Sequence, residues 1–304
     1  MKIFLDNVNI DSSSGPNGFA KKISSQFKKS NDVFYSIQEL IDSKSIPDVQ
    51  LAFIASQYKF APIVQRLDGI YFNSEQDFSM LNKPIEATYA ESEAVIFQSE
   101  FNKSLTEKFF GVHKNGFVIG NGTDIDRISK IPIVNSDILN SFENIWLCAS
   151  SWRPHKRLKD NIDYFLKNSK KNDCLVVAGE NPDYKINHEK ILYAGHLSWI
   201  ELVSLMKKSK YFIHLAWLDH CPNVVVDARA AGCHIICSSS GGTKEIAGLD
   251  CTIIQEEEWD LSPVPLYKPP KINFNSKSKN TIDSEIDIEK ISEKYIKIFE
   301  EIIK

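Results

Sequence analysis

Two series of strand-length apolar runs, separated by helix-length segments, constrain this chain more than any other feature of its sequence. KIFL, DVFYSI, VQLAFIA, APIVQRL, EAVIFQS and GFVIGN form the first series, which ends near Asn121. NIWLCAS, CLVVAGE, KILYAG, YFIHLA, HIICSS and CTIIQ form the second, from Asn144 to Gln255. Runs this continuous, with little polar alternation, suit parallel strands covered on both faces, and the intervening segments supply the crossover helices. The pattern predicts an α/β chain of two doubly wound, Rossmann-like domains. The first takes residues 1–125 and the second 126–280, with the polar segment Asp124 to Phe142, which contains Pro132, as a hinge. A length of 304 residues with 42% hydrophobic content is enough for two cores.

The tail breaks the pattern. From Glu256 the chain turns acidic and proline-rich (Pro263, Pro265, Pro269, Pro270), then passes through NFNSKSKNT, which has no periodicity and reads as an exposed loop. Ile288, Ile291, Tyr295, Ile298 and Ile302 then recur at spacings of 3 and 4, so residues 281–304 are predicted to form an amphipathic helix packing back on the domains.

Composition removes several classes of function. Thirty-six basic against 40 acidic side chains give a net charge of -4, which argues against a nucleic-acid partner held by a basic face. The six cysteines fall singly in the second half with no CxxC pair, as expected of buried thiols in a reducing compartment. MKIFLDNVNI turns polar before a signal-peptide core can form, and no apolar run approaches the roughly 18 residues of a membrane span, so a cytoplasmic protein is expected. KKISSQFKK reads first as a solvated basic face and second as a weak peripheral contact with anionic lipid.

Ligands of open parallel sheets lie beyond the carboxyl ends of the strands, so the strand-to-helix loops are where chemistry is expected. DSSSGPNGFAKKI places Gly15 and Gly18 before a helix, where backbone can approach a phosphate closely, although the full GxGxxG is missing. SWRPHKRLKDN clusters Arg153, Lys156 and Arg157 at a helix start near Pro154 to Arg157. Cations are unfavourable at that end of a helix dipole unless an anion is bound, and guanidinium forks suit a diphosphate. DHCPNVVVDARAAG sets Asp219 and Asp227 eight positions apart across a helix start. Asp227 lies in a segment fit for burial and needs donors, either ribose hydroxyls or a salt bridge to Arg153, Arg157 or Arg229, while Asp219 could serve simply as an N-cap. SSSGGTKEIAG adds Gly241 and Gly242. In the first half, VQRLDG puts Arg66 and Asp68 at a strand end, as an acceptor-side pair or as a structural ion pair. The histidines His155, His196, His214 and His220 lack metal-ligand spacing and read as packing or hydrogen-bonding groups.

The order SWRPHKRL, VVAGE, ILYAG, DHCPNVVVDARAAGCHIICSSSGGTKEI resembles the C-terminal half of retaining glycosyltransferases of the GT-B fold, particularly glycosyltransferase family 4. VIFQSEFNKSLTEKFFG followed by FVIGNGTD is similar to the end of that family's N-terminal domain, and the likeness covers most of Glu93 to Gln255. The resemblance implies two Rossmann-like domains facing a cleft, a nucleoside-diphosphate sugar as donor, a glycan or lipid-linked acceptor, and no cofactor or metal. It places Asp219 on the donor sugar and Asp227 on the nucleotide ribose. Arg153 and Lys156 fall on the diphosphate, with Cys221, Pro222 and Asn223 as a backbone phosphate site and Gly15 and Gly18 as a loop closing over the donor. This chain departs from the family pattern in having aspartates where two glutamates are usual, Arg157 where a glycine follows the lysine, and RLDG where a histidine ends an N-domain strand. A non-catalytic nucleotide-sugar-binding subunit and a nucleotide-sugar epimerase are the alternatives.

Overall fold

The computed structural model describes residues 1–12 and 14–304, so Ser13 of the first glycine loop lies outside the described residues. In chain order the first elements are β1 (Lys2–Asp6), α1 (Gly15–Phe27), β2 (Asp32–Phe34), α2 (Ile37–Asp42), β3 (Val49–Phe53), β4 (Ile63–Leu67), α3 (Phe78–Glu91), β5 (Ala94–Phe97), α4 (Glu100–Phe110) and β6 (Gly116–Val118). They are followed by α5 (Ile125–Lys130), α6 (Asp137–Asn140), β7 (Asn144–Ala149), α7 (Leu158–Asn168), β8 (Asp173–Ala178), β9 (Ile191–Gly195), α8 (Trp199–Lys208), β10 (Tyr211–His214), α9 (Asn223–Ala230), β11 (His234–Ser238), α10 (Thr243–Ile246), β12 (Cys251–Ile254), β13 (Lys277–Lys279) and α11 (Ile288–Ile302).

The chain divides into two compact units, Met1–Asp124 with Leu261–Val264 and Glu285–Lys304, and Ile125–Asp260 with Pro265–Ser284. Unit 1 holds a six-stranded parallel sheet of order β2-β1-β3-β4-β5-β6. Its strands β3, β4 and β5 are buried at every position, which is why they read as largely apolar runs, interrupted by the buried Gln50, Gln65 and Arg66. Pro16 in the first turn of α1 pre-sets the helix, and Phe19, Ala20, Ile23 and Phe27 bury one face of it. That face meets α11, capped by Asp287 accepting from the Glu289 N–H, whose Ile288, Ile291, Tyr295, Ile298 and Phe299 complete the same core. The last helix of the chain is therefore a core element of unit 1. Its entry is fixed by Thr123, whose N–H donates to the Ile286 carbonyl at 2.8 Å and whose carbonyl accepts from the Ile288 N–H at 3.0 Å. Gly122 beside it lets the two segments pass closely, since a Cβ there would stand 2.6 Å from Ile291 Cδ1 and 3.1 Å from the Ile286 carbonyl oxygen, so that the Ile291 side chain would have to shift.

Unit 2 holds a seven-stranded sheet of order β13-β12-β11-β10-β7-β8-β9, parallel except for β13. The sequence reads this last segment as a loop. Lys277–Lys279 instead pairs antiparallel with β12 as an edge strand, and its pairing runs through the backbone, so Lys-Ser-Lys needs no apolar period and its lysines guard the edge. The boundary between the units falls at Asp124, where the expected hinge begins. The segment after Asp124 folds into α5 and α6 and is tied to α8, where Lys207 Nζ donates to the carbonyls of Ile128, Ser129 and Ile131 and Ser204 Oγ to that of Pro132. Both sheets are of the doubly wound, Rossmann-like kind found in GT-B proteins.

Candidate functional site

Each sheet reverses its winding once. In unit 2 the reversal lies between β7 and β10, whose carboxyl ends release neighbouring loops in opposite directions, and such a switch point is where open α/β sheets bind ligands. Those two loops carry the basic cluster and Asp219. A helix start is expected near Pro154 to Arg157; the chain makes a 3-10 turn over Pro154–Lys156, takes a left-handed conformation at Arg157 (φ 53°), and begins α7 at Leu158.

That turn separates the three cations. Arg153 stays exposed, and its guanidinium has no hydrogen bond or ion pair among the described residues. Lys156 Nζ lies 2.5 Å from Asp219 Oδ2. Arg157 turns away: its buried guanidinium donates to both carboxylate oxygens of Glu256 at 2.7 Å, to the Pro270 carbonyl at 2.9 Å and to the Leu215 carbonyl at 3.3 Å. Arg157 is thus a structural anchor and not the donor-binding group expected of it, because its backbone conformation points the side chain into the unit.

The loop after β10 is held in place from three sides. The Trp217 N–H donates to the His155 carbonyl at 2.7 Å. Asn161 bridges the two loops, its amide donating to the carbonyls of Lys156 and Arg157 while its oxygen accepts from the Leu215 N–H. Leu218 takes φ 56°, turning the chain so that Asp219 lies beside Gly241, whose neighbour Gly242 donates its N–H to the Asp219 carbonyl at 2.8 Å. Gly241 itself has φ 82°, and a Cβ on it would meet the Asp219 carbonyl oxygen at 2.5 Å. The SSSGG signal is therefore spent on backbone approach to the Asp219 loop.

Asp219 is not the cap of the following helix; Pro222 holds that position and no side chain caps α9. Its Oδ2 is shared by Lys156 and by His214 Nε2 at 2.9 Å. Burial penalises the charge, but the Lys156 ammonium and the His214 ring outweigh it and hold the carboxyl well below the ordinary range. Burial, together with the Lys156 charge, keeps His155 neutral at about 3, and burial keeps His220 at about 4. Cys221, Pro222 and Asn223 form the entry to α9, an eight-residue helix whose start is the positive end of its dipole.

Asp227 is buried in α9 and accepts from Trp199 Nε1 at 2.9 Å. The guanidinium of Arg127 covers that indole at 4.7 Å. Of the three arginines offered to Asp227, two are committed elsewhere, Arg157 to Glu256 and Arg229 to Asp283 and Ser284. Asn161, Trp199 and Glu256 are site residues the sequence did not single out, whereas His214, a lone histidine inside the apolar run YFIHLAW that reads as a packing or hydrogen-bonding group, does make a hydrogen bond, to Asp219.

In unit 1 the winding reverses between β1 and β3, and the loop after β1 leads into Gly15, exposed at the first position of α1, and Gly18, half-buried one turn on. Of the two readings of Arg66 and Asp68, the structure shows the ion pair. Arg66 is fully buried, its guanidinium 4.0 Å from the Phe19 ring and 5.2 Å from the Phe53 ring, paired with Asp68 and donating to Asn121 Oδ1 at 2.5 Å. Asp68 Oδ1 also accepts from Gln98 at 2.7 Å, whereas its buried Oδ2 has no partner among the described residues. Burial pushes the Asp68 carboxyl up against the pull of Arg66 and Gln98. A depression of about 370 Å³ in the same unit, lined by Glu93, Asn115, Phe117 and Glu301, opens at the amino ends of β5 and β6 and gathers no comparable chemistry.

Among the described residues no group of three or more His, Cys, Asp or Glu side chains is placed to hold a metal ion, and no helix is long and apolar enough to cross a membrane.

Residues 134–260 match the model of the family described as glycosyl transferases group 1. The chain is similar in structure to HepE of Anabaena, solved in complex with UDP and glucose, at 16% identity and a TM-score of 0.63 over 85% of this chain and 86% of that one. It is similar to sucrose-phosphate synthase from Thermosynechococcus elongatus at 12% identity and a TM-score of 0.66, covering 85% and 86% of the two chains. A glycosyltransferase from Rickettsia africae ESF-5 aligns over 100% of this chain and 98% of its own, at 14% identity and a TM-score of 0.62. No curated protein sequence matches the chain.

Proposed function

With residues 134–260 belonging to the glycosyl transferases group 1 family and both sheets built as in the GT-B fold, we propose that this chain is a retaining glycosyltransferase. It moves a hexose-like sugar from a nucleoside diphosphate to a glycan or lipid-linked acceptor. The observation that carries this reading is the meeting of Lys156 and Asp219 at the switch point of unit 2, beside the uncapped start of α9. A diphosphate needs fixed positive charge, and Lys156, Arg153 and the backbone N–H groups of Cys221 and Asn223, on either side of Pro222 at the start of α9, supply it without a metal. Asp219 then orients a sugar hydroxyl. Asp227, held by Trp199, takes the ribose, and HepE, solved with UDP and glucose, favours a nucleotide sugar as the ligand.

The reaction breaks the bond between the anomeric carbon and the diphosphate. Negative charge grows on the departing oxygen, and donors preorganised toward that position stabilise it more than they stabilise the bound substrate. On the acceptor side we propose Asp68, whose Oδ2 has no partner among the described residues and belongs to a carboxyl that burial pushes toward its protonated form.

Incubation with a panel of nucleotide sugars, with and without glycan acceptors, tests the reading through release of nucleoside diphosphate. Release that depends on acceptor supports transfer. Conversion of the sugar without release points to an epimerase, and binding with neither to a non-catalytic subunit. Lys156→Ala is expected to lower kcat by about 100-fold, roughly 3 kcal/mol of barrier, in single-turnover measurements.

A further inference from the structure

The second partner of Asp219 has no part in the scheme above. His214 closes β10 at the carboxyl edge of the sheet, is only 4% exposed, and approaches at 2.9 Å the same Oδ2 that Lys156 approaches at 2.5 Å. One carboxylate oxygen therefore has two nitrogen donors of different character. Lys156 sits at the end of a flexible stem on a surface turn, whereas His214 is fixed in a central strand. The histidine replaces what would be an easily buried apolar side chain in YFIHLAW, at the cost of burying a polar ring.

We propose that His214 is a positioning residue for the donor site: it holds Asp219 from the sheet side and takes up a proton when a nucleoside diphosphate draws Lys156 away from that carboxylate. The proposal rests on the donor-site reading above. In the structure the Lys156–Asp219 pair is neutral as a unit, and burial, with the Lys156 charge, keeps the His214 ring below its ordinary pKa against the pull of Asp219. When Lys156 turns to the diphosphate, Asp219 is left as a buried anion with one neutral neighbour, and the ligand brings further negative charge. Both changes favour the imidazolium. The proton adds at His214, and the imidazolium forms a charge-assisted hydrogen bond to Asp219 in place of the lost ammonium.

The other titratable groups around this ring do not substitute for it. His155 on the turn, with Arg153 beside it, and His220 on the Asp219 loop are held at about 3 and about 4, and the cross-strand neighbour Cys237 has its thiol pushed up. No hydrogen bond to the carboxylate of Asp219 is made by His155.

Calorimetric titration of UDP, GDP and ADP at about pH 6.5, the ordinary imidazole midpoint, in buffers of different ionisation enthalpy reads the protons taken up on binding. The wild type is expected to take up several tenths of a proton to about one more than His214→Gln, which keeps a hydrogen-bond donor but cannot titrate. Binding with equal uptake in both overturns the proposal and leaves the donor site standing. Failure of every nucleoside diphosphate to bind overturns the donor site and the proposal together. Lys156→Gln gives a second readout that does not depend on the His214 variant folding. With the ammonium gone, the His214 ring followed by NMR should titrate about one unit higher in the free protein, and an unchanged titration overturns the proposal.

Discussion

Single residues in this chain separate into those the sequence identifies by chemistry and those whose role depends on direction. Arg153, Lys156 and Asp219 stand out as a basic cluster and a lone carboxylate on loops, and the fold brings the last two together. Arg157 belongs to the same cluster by type but serves Glu256, because one left-handed residue turns it inward. Arg157→Ala should leave the buried Glu256 carboxylate uncompensated and cost about 3–5 kcal/mol in urea unfolding, while Arg157→Met with Glu256→Met should recover most of that loss. A single variant as stable as the parent would refute the anchor role. Acid stability also follows from single residues. His155 titrates at about 3 in the fold against 6.5 when free, so below pH 6.5 the unfolded chain binds more protons. Stability should therefore be full above about pH 6.5 and fall by about 1.4 kcal/mol per pH unit toward pH 4 for this ring, with His220, at about 4, acting in the same direction. Asp219, depressed instead, keeps its contribution above the ordinary carboxyl range and loses it only at lower pH. A urea midpoint that is flat from pH 7 to pH 4 would contradict this account.

At the scale of elements, the twelve apolar runs all became strands, since strands covered on both faces are largely apolar and that is visible without coordinates. The thirteenth strand was not visible, because an edge strand of Lys-Ser-Lys is specified by its partner's backbone. The helix start expected near Pro154 to Arg157 is met by α7, capped at Arg157, but the 3-10 turn before it was not visible, because proline and basic residues suit such a turn as well as a first helical turn. Gly241 shows how an element constrains the site. Gly241→Ala combines φ 82° with a Cβ 2.5 Å from the Asp219 carbonyl oxygen, so the loop carrying Asp219 must move. We expect a loss of about 1–3 kcal/mol in stability and a clear drop in nucleoside diphosphate affinity by calorimetry. Unaltered affinity would mean that Asp219 is not positioned by this contact.

At the scale of the molecule, each unit closes its core with residues distant in sequence. Unit 1 takes α11 from the end of the chain, and Ile288, Tyr295 and Phe299 are fully buried there. Residues 1–124 alone should therefore fail to fold, and joining 124 to 285 through a short Gly/Ser linker should restore a cooperative unfolding transition by circular dichroism, since Thr123 already pairs with Asp287. A folded 1–124 would show that α11 is dispensable. The sequence by itself determined the periodic elements, the two-sheet architecture and the kind of chemistry on the loops, because burial on both faces and charge type are written locally. Tertiary structure decided which cation meets Asp219, that Arg66 packs between Phe19 and Phe53, that Trp199 holds Asp227, and that His214 stands behind the site. Those outcomes depend on the direction of side chains and the meeting of distant loops, which are set by packing across the sheet rather than by neighbours along the chain.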